Sequence, residues 1–349
     1  MSGKTVFVTG ASGYIALHIL DVLLSKGYNI IGTVRSQSKA ESISNNFSKK
    51  YPEADIKFEI VPDISSDNAF DNSLRNNPSI DYVLHTASPF AYGIDKPLEE
   101  AYLIPATHGT RNVLEAIQKY APQVTRVVIT SSFAAIVNRG KAGDPTFIHT
   151  EETWNPITWE DVTTEQSGYT ASKKLAEQLA RNFVIEKKPN FTITTVNPPF
   201  VLGPQLFDDS FKNSNLNTSA ELVRKLLDLP ADYSGNDDLP SLVVDVRDVA
   251  LLHVLPLENE KLLGSRLFPV SSFSSGQFLL NKVHEAFPEL DGQIGKGTPE
   301  GAEEIAKTKG LAYDTSKTLE ITGIKEWIPL EKTIRDSVQQ ILDHRKREE

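Results

Sequence analysis

The sequence predicts an α/β fold: a doubly wound parallel sheet with a smaller C-terminal region. Three observations predict it. Apolar runs of strand length alternate with segments of helical period. Those runs are nearly continuous in apolar character, as strands covered on both faces require. The first run passes into the first helical segment through a glycine-rich turn, Thr9-Gly10-Ala11-Ser12-Gly13.

Taken in order, Thr5–Thr9 reads as a strand, Tyr14–Ser25 as an amphipathic helix, Asn29–Val34 as a second strand and Ser38–Lys50 as a polar helix. Ile56–Val61, a short segment Asp67–Arg75, a strand Tyr82–Thr86, a long amphipathic helix Pro97–Tyr120 and a strand Val124–Thr130 continue the alternation. Glu165–Lys187 follows as a helix and Phe191–Val196 as a sixth strand, ended by Asn197-Pro198-Pro199 because proline cannot donate to a ladder. Beyond Gly203 the regularity fails: polar stretches Phe207–Thr218 and Ala231–Pro240 separate a helix Ser219–Leu227 from a strand Leu242–Val244. Arg247–Leu257 is helical, Arg266–Val270 is another sheet strand, and Ser275–Glu285 and Leu330–Arg345 are helices. The expected organisation is a dinucleotide-binding Rossmann domain over 1–200 with a returning segment 241–271, and a smaller substrate-binding region over 201–240 and 272–349.

Hydrophobic residues at 39% and charged residues at 23% of 349 are ordinary for a globular chain. A net charge of −10 argues against nucleic acid or an anionic membrane as partner, since both need clustered Lys/Arg; a small molecule fits better. The absence of cysteine excludes disulfides and thiolate chemistry. Met1-Ser2-Gly3-Lys4 leads straight into a strand, with no signal-peptide segment, so a cytoplasmic location is expected. The seven histidines are scattered without metal-ligand spacing, and no metal is expected. His108 is expected to pack toward the sheet, and Asp245, Arg247 and Asp248 to serve as strand-end caps and an internal ion pair.

The turn Thr9–Ala16 has the spacing G-x-x-G-x-x-A, with Gly10 and Gly13 as the glycines and Ala16 against the sheet. Between a strand and a helix, such a turn brings backbone N–H groups to a pyrophosphate. Where a site selective for NAD carries an acidic residue after the second strand, this chain has Arg35. A guanidinium complements a 2′-phosphate, so the expected cofactor is NADPH/NADP, with Ser36 and Lys39 as helpers. Asp63-Ile64 and Thr86-Ala87-Ser88 follow the third and fourth strands, where a cofactor would pass.

Gly168-Tyr169-Thr170-Ala171-Ser172-Lys173 opens a helix, and four-residue spacing puts Tyr169 and Lys173 on one face. A nearby ammonium favours the phenolate and brings the tyrosine into proton-exchange range. Upstream, Val127-Val128-Ile129-Thr130-Ser131-Ser132 delivers two hydroxyls at the carboxyl end of a strand. Ser132 would donate to a developing alkoxide, with Ser131 as the alternative.

With TGxxGxxA at Thr9–Ala16, TSS at Thr130–Ser132 and YxxxK at Tyr169–Lys173, the chain resembles the extended short-chain dehydrogenase/reductase family over nearly its whole length. Within it, Val34-Arg35-Ser36, His85–Phe90, Glu152–Pro156, Asn197-Pro198, Gly203-Pro204-Gln205 and Asp245–Ala250 are similar to the methylglyoxal/isovaleraldehyde reductases and related ketoreductases, with dihydroflavonol reductases more distant. That resemblance implies NADPH-dependent reduction of aldehydes and ketones, with Ser132, Tyr169 and Lys173 catalytic. It places cofactor contacts at Gly10, Ser12, Gly13, Tyr14, Ile15, Arg35, Lys39, Asp63, Ile64, Ala87, Tyr169, Lys173, Val201 and Ser219. It lines the substrate pocket with Ser88, Phe90, Phe133 and Phe200, and with Val201 beside them. Phe133 and Phe200 stand where near relatives carry tyrosine, and Pro199 is a further departure. A nucleotide-sugar epimerase or dehydratase of the same fold is the alternative, and Arg35 speaks against it; a non-catalytic NADP(H) sensor would have no need of the Ser132/Tyr169/Lys173 set. The chain is expected to be a monomer or a homodimer.

Overall fold

A computed structural model describes residues 3–88, 93, 95–212, 218–235 and 240–348; the side chains of Lys212, Thr218, Ser219 and Glu348 lie outside the description. In chain order the elements are β1 (Thr5–Thr9), α1 (Tyr14–Ser25), β2 (Asn29–Val34), α2 (Gln37–Lys50), β3 (Ile56–Ile60), α3 (Asp71–Arg75), β4 (Ile80–His85), α4 (Ile104–Tyr120), β5 (Arg126–Thr130), α5 (Glu165–Lys187) and β6 (Thr192–Val196). They continue with β7 (Phe200–Leu202), α6 (Thr218–Leu226), β8 (Ser241–Asp245), α7 (Val246–Val254), β9 (Arg266–Leu267), β10 (Ser272–Ser274), α8 (Gly276–Ala286), α9 (Ala302–Thr308), α10 (Ser316–Thr322) and α11 (Leu330–Glu348).

The chain forms two compact units. The first comprises Met1–Val137, Glu151–Asn197 and Ala250–Phe268. Its sheet has seven strands in the order β3-β2-β1-β4-β5-β6-β9, and every pairing is parallel. The order reverses after β3, so the chain winds outward from β1 in both directions, the topology in which right-handed crossovers leave helices on both faces. That is the predicted doubly wound sheet. All five residues of β1 are buried, and Phe7, Phe70, Leu74, Val113, Leu114, Ile117 and Phe183 share one core with the strands.

The second unit comprises Asn138–Thr150, Pro198–Val249 and Pro269–Glu349. It holds a small sheet, β10-β8-β7, and a core in which Leu202, Val223, Leu279, Val283, Ile334 and Val338 are buried. This departs from the expected boundaries. Of the segment 241–271, only Ala250–Phe268 returns to the first unit, whereas β8 pairs with β7 and β10. The strand expected over Arg266–Val270 is just Arg266–Leu267, cut short before Pro269.

Asp245 accepts from the backbone and guanidinium of Arg247 and, at 2.7 Å, from Thr333 Oγ1, while Arg247 also pairs with Asp336 at 2.5 Å. Asp248 accepts the N–H of Ile328 at 2.8 Å. Asp245 and Arg247 thus fasten α11 and Asp248 holds the segment just before it, a structural use of all three.

One helix differs from its sequence reading in a way that matters for the site. Pro97–Tyr120 contains a π turn at Glu99–Leu103, with Ile104 N–H bonded to Glu99 O. Pro105 follows, and its missing N–H breaks the ordinary ladder there. The turn buries Tyr102 against Gly168, where a side chain carbon would come within 2.9 Å of the Tyr102 ring.

Candidate active site

The β1–α1 turn is built by glycine. Gly10 has φ 66°, and a methyl there would lie 2.8 Å from the Ala87 Cα at the end of β4. Ala87 N donates to Thr9 Oγ1, and Thr9 Oγ1 also bonds the fully buried His85 Nδ1 at 2.8 Å, so the ends of β1 and β4 are tied together. Gly10→Ala is expected to destabilise the protein by about 2–3 kcal/mol, read as a lowered urea midpoint with unchanged slope.

Gly13 is different. It is the N-cap of α1 with φ −73°, and a methyl there would meet only Gly10 O at 3.4 Å and Ala16 Cβ at 3.9 Å. The protein itself leaves that space open. The first turn of α1, which follows Ser12 and begins with Tyr14 and Ile15, carries no side-chain cap and no acidic residue, a helix start of the kind that suits an anion.

At the end of β2, Arg35 is exposed, as is Lys39 in the first turn of α2, and neither is in an ion pair among the described residues. Ser36 caps α2, accepting from Lys39 N at 3.4 Å. Two cations at a helix start suit a phosphate, and NADPH fits these residues. Asp63 is occupied in a local turn, accepting from the Ser65 hydroxyl at 2.7 Å and backbone at 2.8 Å. Those bonds, with Arg35 adding attraction, hold its carboxyl below the usual range. Ile64 packs on Gly109, and Asn112 Nδ2 holds its carbonyl at 2.9 Å.

The second half of the site stands where β5 ends and α5 begins. Thr164 caps α5 through a reciprocal pair with Ser167, which sets the helix start and with it Tyr169. Tyr169 Oη reaches Ser132 Oγ at 3.5 Å. Ser132 is itself the N-cap of a short 3₁₀ turn, its Oγ accepting from Ala134 N at 3.1 Å, which leaves the hydroxyl proton free to point elsewhere. Ser131, the alternative, turns away: its Oγ donates to Glu177 at 2.6 Å. Lys173, one turn after Tyr169, is buried, and burial pulls its ammonium down to about 8. It shares a cavity of about 20 Å³, a single water's room, with His85, Ser88, Thr110 and Glu177. Burial likewise takes His85 down to about 3 and keeps it neutral.

A family model, the NAD dependent epimerase/dehydratase family, matches residues 6–266. The chain belongs to this family, the extended short-chain dehydrogenases/reductases. The chain is 40% identical to the NADPH-dependent methylglyoxal reductase of Saccharomyces cerevisiae over 346 residues, 97% of this chain and 98% of that one. It is 33% identical over 341 residues to a ketoreductase of Aspergillus niger, covering 97% and 98%. Among solved structures, the yeast methylglyoxal/isovaleraldehyde reductase complexed with NADPH superposes with a TM-score of 0.92 at 39% identity, covering 99% and 100%.

In this dehydrogenase/reductase the first unit holds Gly10, Gly13, Ala87, Ser88, Ser132, Tyr169 and Lys173, of which Ala87, Ser88 and Lys173 line one cavity, while Val201 and Phe200 lie on β7 of the second unit, Val201 buried and Phe200 exposed. Phe90 lies outside the described residues, as does the side chain of Ser219. Phe133, expected in the pocket wall, is stacked on Phe268 at 5.1 Å and only 8% exposed, so it offers a substrate little surface. His108 is corrected: it lines an open groove with Trp159 and Gln178 instead of packing on the sheet.

Sequence reasoning missed Glu177, Arg266 and His253, and it read Asn197 only as a strand end and part of a family motif, not as a link to Ser132. Thr130 Oγ1 bonds His253 Nε2 at 2.7 Å. Glu177 has a fully buried side chain whose carboxylate meets Arg266 at 2.7 Å and Arg181 at 3.2 Å. Burial opposes its ionisation, but the two guanidinium groups outweigh it and hold the carboxyl below its usual range. One available signal was its spacing, four residues beyond Lys173 on the same face of α5.

Proposed function

We propose that the chain is a cytoplasmic NADPH-dependent carbonyl reductase acting on small aldehydes and ketones as a monomer or homodimer, with Tyr169 as proton donor. The observation that carries this reading is the Tyr169–Ser132 approach at 3.5 Å with Lys173 buried one turn away. When bound, NADPH supplies the hydride. Arg35 and Lys39 would hold its 2′-phosphate, and the open first turn of α1 its pyrophosphate. Ser132 Oγ would donate to the substrate carbonyl oxygen, and Tyr169 Oη would deliver the proton that turns the alkoxide into the alcohol. The Lys173 ammonium favours the phenolate left behind and so makes the tyrosine a better acid. Within the first unit, Ser88 is the proposed pocket residue.

The test is NADPH oxidation followed by absorbance over a panel that includes methylglyoxal and isovaleraldehyde, repeated with NADH. Turnover preferring NADPH is expected, and silence on every carbonyl would overturn the reading. Arg35→Asp is expected to weaken NADPH binding about 10–100-fold, the worth of one or two charge-assisted bonds, while leaving NADH binding nearly unchanged. Fluorescence titration of each cofactor checks it.

A further inference from the structure

Glu177 stands at the centre of a buried network that joins the elements supplying the reactive groups. Its Oε2 accepts from Ser131 Oγ at 2.6 Å and from Asn197 Nδ2 at 2.7 Å. Its Oε1 accepts from Arg266 Nε at 2.7 Å and Arg181 Nε at 3.2 Å. Asn197 Nδ2 also donates to the backbone carbonyl of Ser132 at 3.2 Å. Arg266 continues outward, donating to Glu151 O at 2.7 Å and Thr153 O at 2.6 Å, with its guanidinium 4.0 Å from the Trp154 ring. Beside it, Asn155 Nδ2 holds Ala134 O at 2.8 Å and Asn155 N donates to Ala135 O at 2.9 Å. The 3₁₀ turn that begins at Ser132 is thus gripped from both sides.

A carboxylate with no exposed surface costs several kcal/mol in lost hydration, and removing one partner of such a pair is strongly destabilising. A fold that needed only a packed helix could place an apolar residue there. What the carboxylate adds is direction: it fastens the end of β5, the end of β6 and α5 to one point. Ser132 follows the first of these, and Tyr169 and Lys173 belong to the third. We propose that Glu177 is a positioning residue for carbonyl reduction, holding the Ser132 hydroxyl in register with Tyr169 through Asn197 and Ser131. The proposal rests on the reductase reading, in which Ser132 binds the substrate oxygen. Glu177 touches no reacting atom; it acts through the residues it holds.

The informative variant is Asn197→Ala, because it cuts the link to the Ser132 carbonyl and leaves the Glu177–Arg266 pair whole. With methylglyoxal and NADPH, Asn197→Ala is expected to lower kcat about 10-fold or more, since small misplacements of a reacting group are costly. The NADPH dissociation constant, read by fluorescence, should stay within about twofold. The double variant Ser132→Ala/Asn197→Ala should be no slower than Ser132→Ala alone, because the link has nothing left to position. Glu177→Gln, where it folds, should behave as Asn197→Ala does; where it does not, the Asn197 cycle decides. Wild-type kcat in Asn197→Ala, losses that multiply in the double variant, or a kcat loss matched by lost NADPH binding would each overturn the positioning role. A wild type silent on methylglyoxal would overturn the reductase reading beneath it, and a fully active Ser132→Ala would overturn the role of Ser132 on which the positioning rests; both are seen before Asn197 is touched.

Discussion

Tyr169→Phe is expected to lower kcat for carbonyl reduction by about 10²–10⁴-fold, the usual worth of a positioned proton donor. The substitution deletes one oxygen from a half-buried side chain and leaves α5, its cap and the Tyr102–Gly168 contact in place. Binding of NADPH should therefore survive, and the loss should fall on kcat and kcat/KM alike, as it does when an interaction made only in the transition state is removed. A variant that kept its rate would show that the proton comes from elsewhere, with water admitted beside Ser132 the first source to examine.

Lys173→Met separates chemistry from stability in opposite directions. The buried ammonium is pulled down to about 8 from 10.5, so the native protein holds this proton less tightly than the unfolded chain does. Below pH 8 the full penalty opposes folding; between pH 8 and 10.5 the unfolded chain binds more protons, and stability from this site rises with pH. A depression of that size corresponds to about 3 kcal/mol. Measured at pH 7 without cofactor, the methionine variant is expected to melt higher than the wild type, with the gap closing as pH rises toward 10.5. Its kcat should fall about 10²-fold or more, and wild-type activity should decline above pH 8 as the ammonium is lost. A variant that melts lower at pH 7 would mean that Lys173 is stabilised by a contact stronger than its desolvation.

Much of this was legible because parallel sheets write themselves into sequence. Strands such as Val6–Val8 are apolar on both faces, and the helix between Glu165 and Lys187 was legible nearly end to end. The motifs at Gly10, Ser132 and Tyr169 were legible for a related reason: each is short, and its function depends on local spacing. What escaped was non-local or very short. β7 and β10 have three residues each, too few for a periodicity, and α9 and α10 have seven. The Glu177–Arg266 pair spans 89 residues of sequence, and no local pattern announces it. His108 was misread because a single helix position cannot say whether its neighbour is a sheet or another helix, and α4 packs against α5 as well as the sheet.

The first unit is assembled from three stretches, the last of them Ala250–Phe268. On the ribosome that order has a cost. While the chain emerges, β6 is an open edge with unpaired N–H and C=O groups, and it stays so until Arg266 and Leu267 leave the exit tunnel to form β9. Glu177 meanwhile waits for the guanidinium that closes its buried pair. The seven-stranded sheet of this unit is therefore completed only by a segment that follows the whole of 198–249 in the chain. A chain cut before residue 266 would keep β6 unpaired on one side and leave Glu177 without the Arg266 guanidinium.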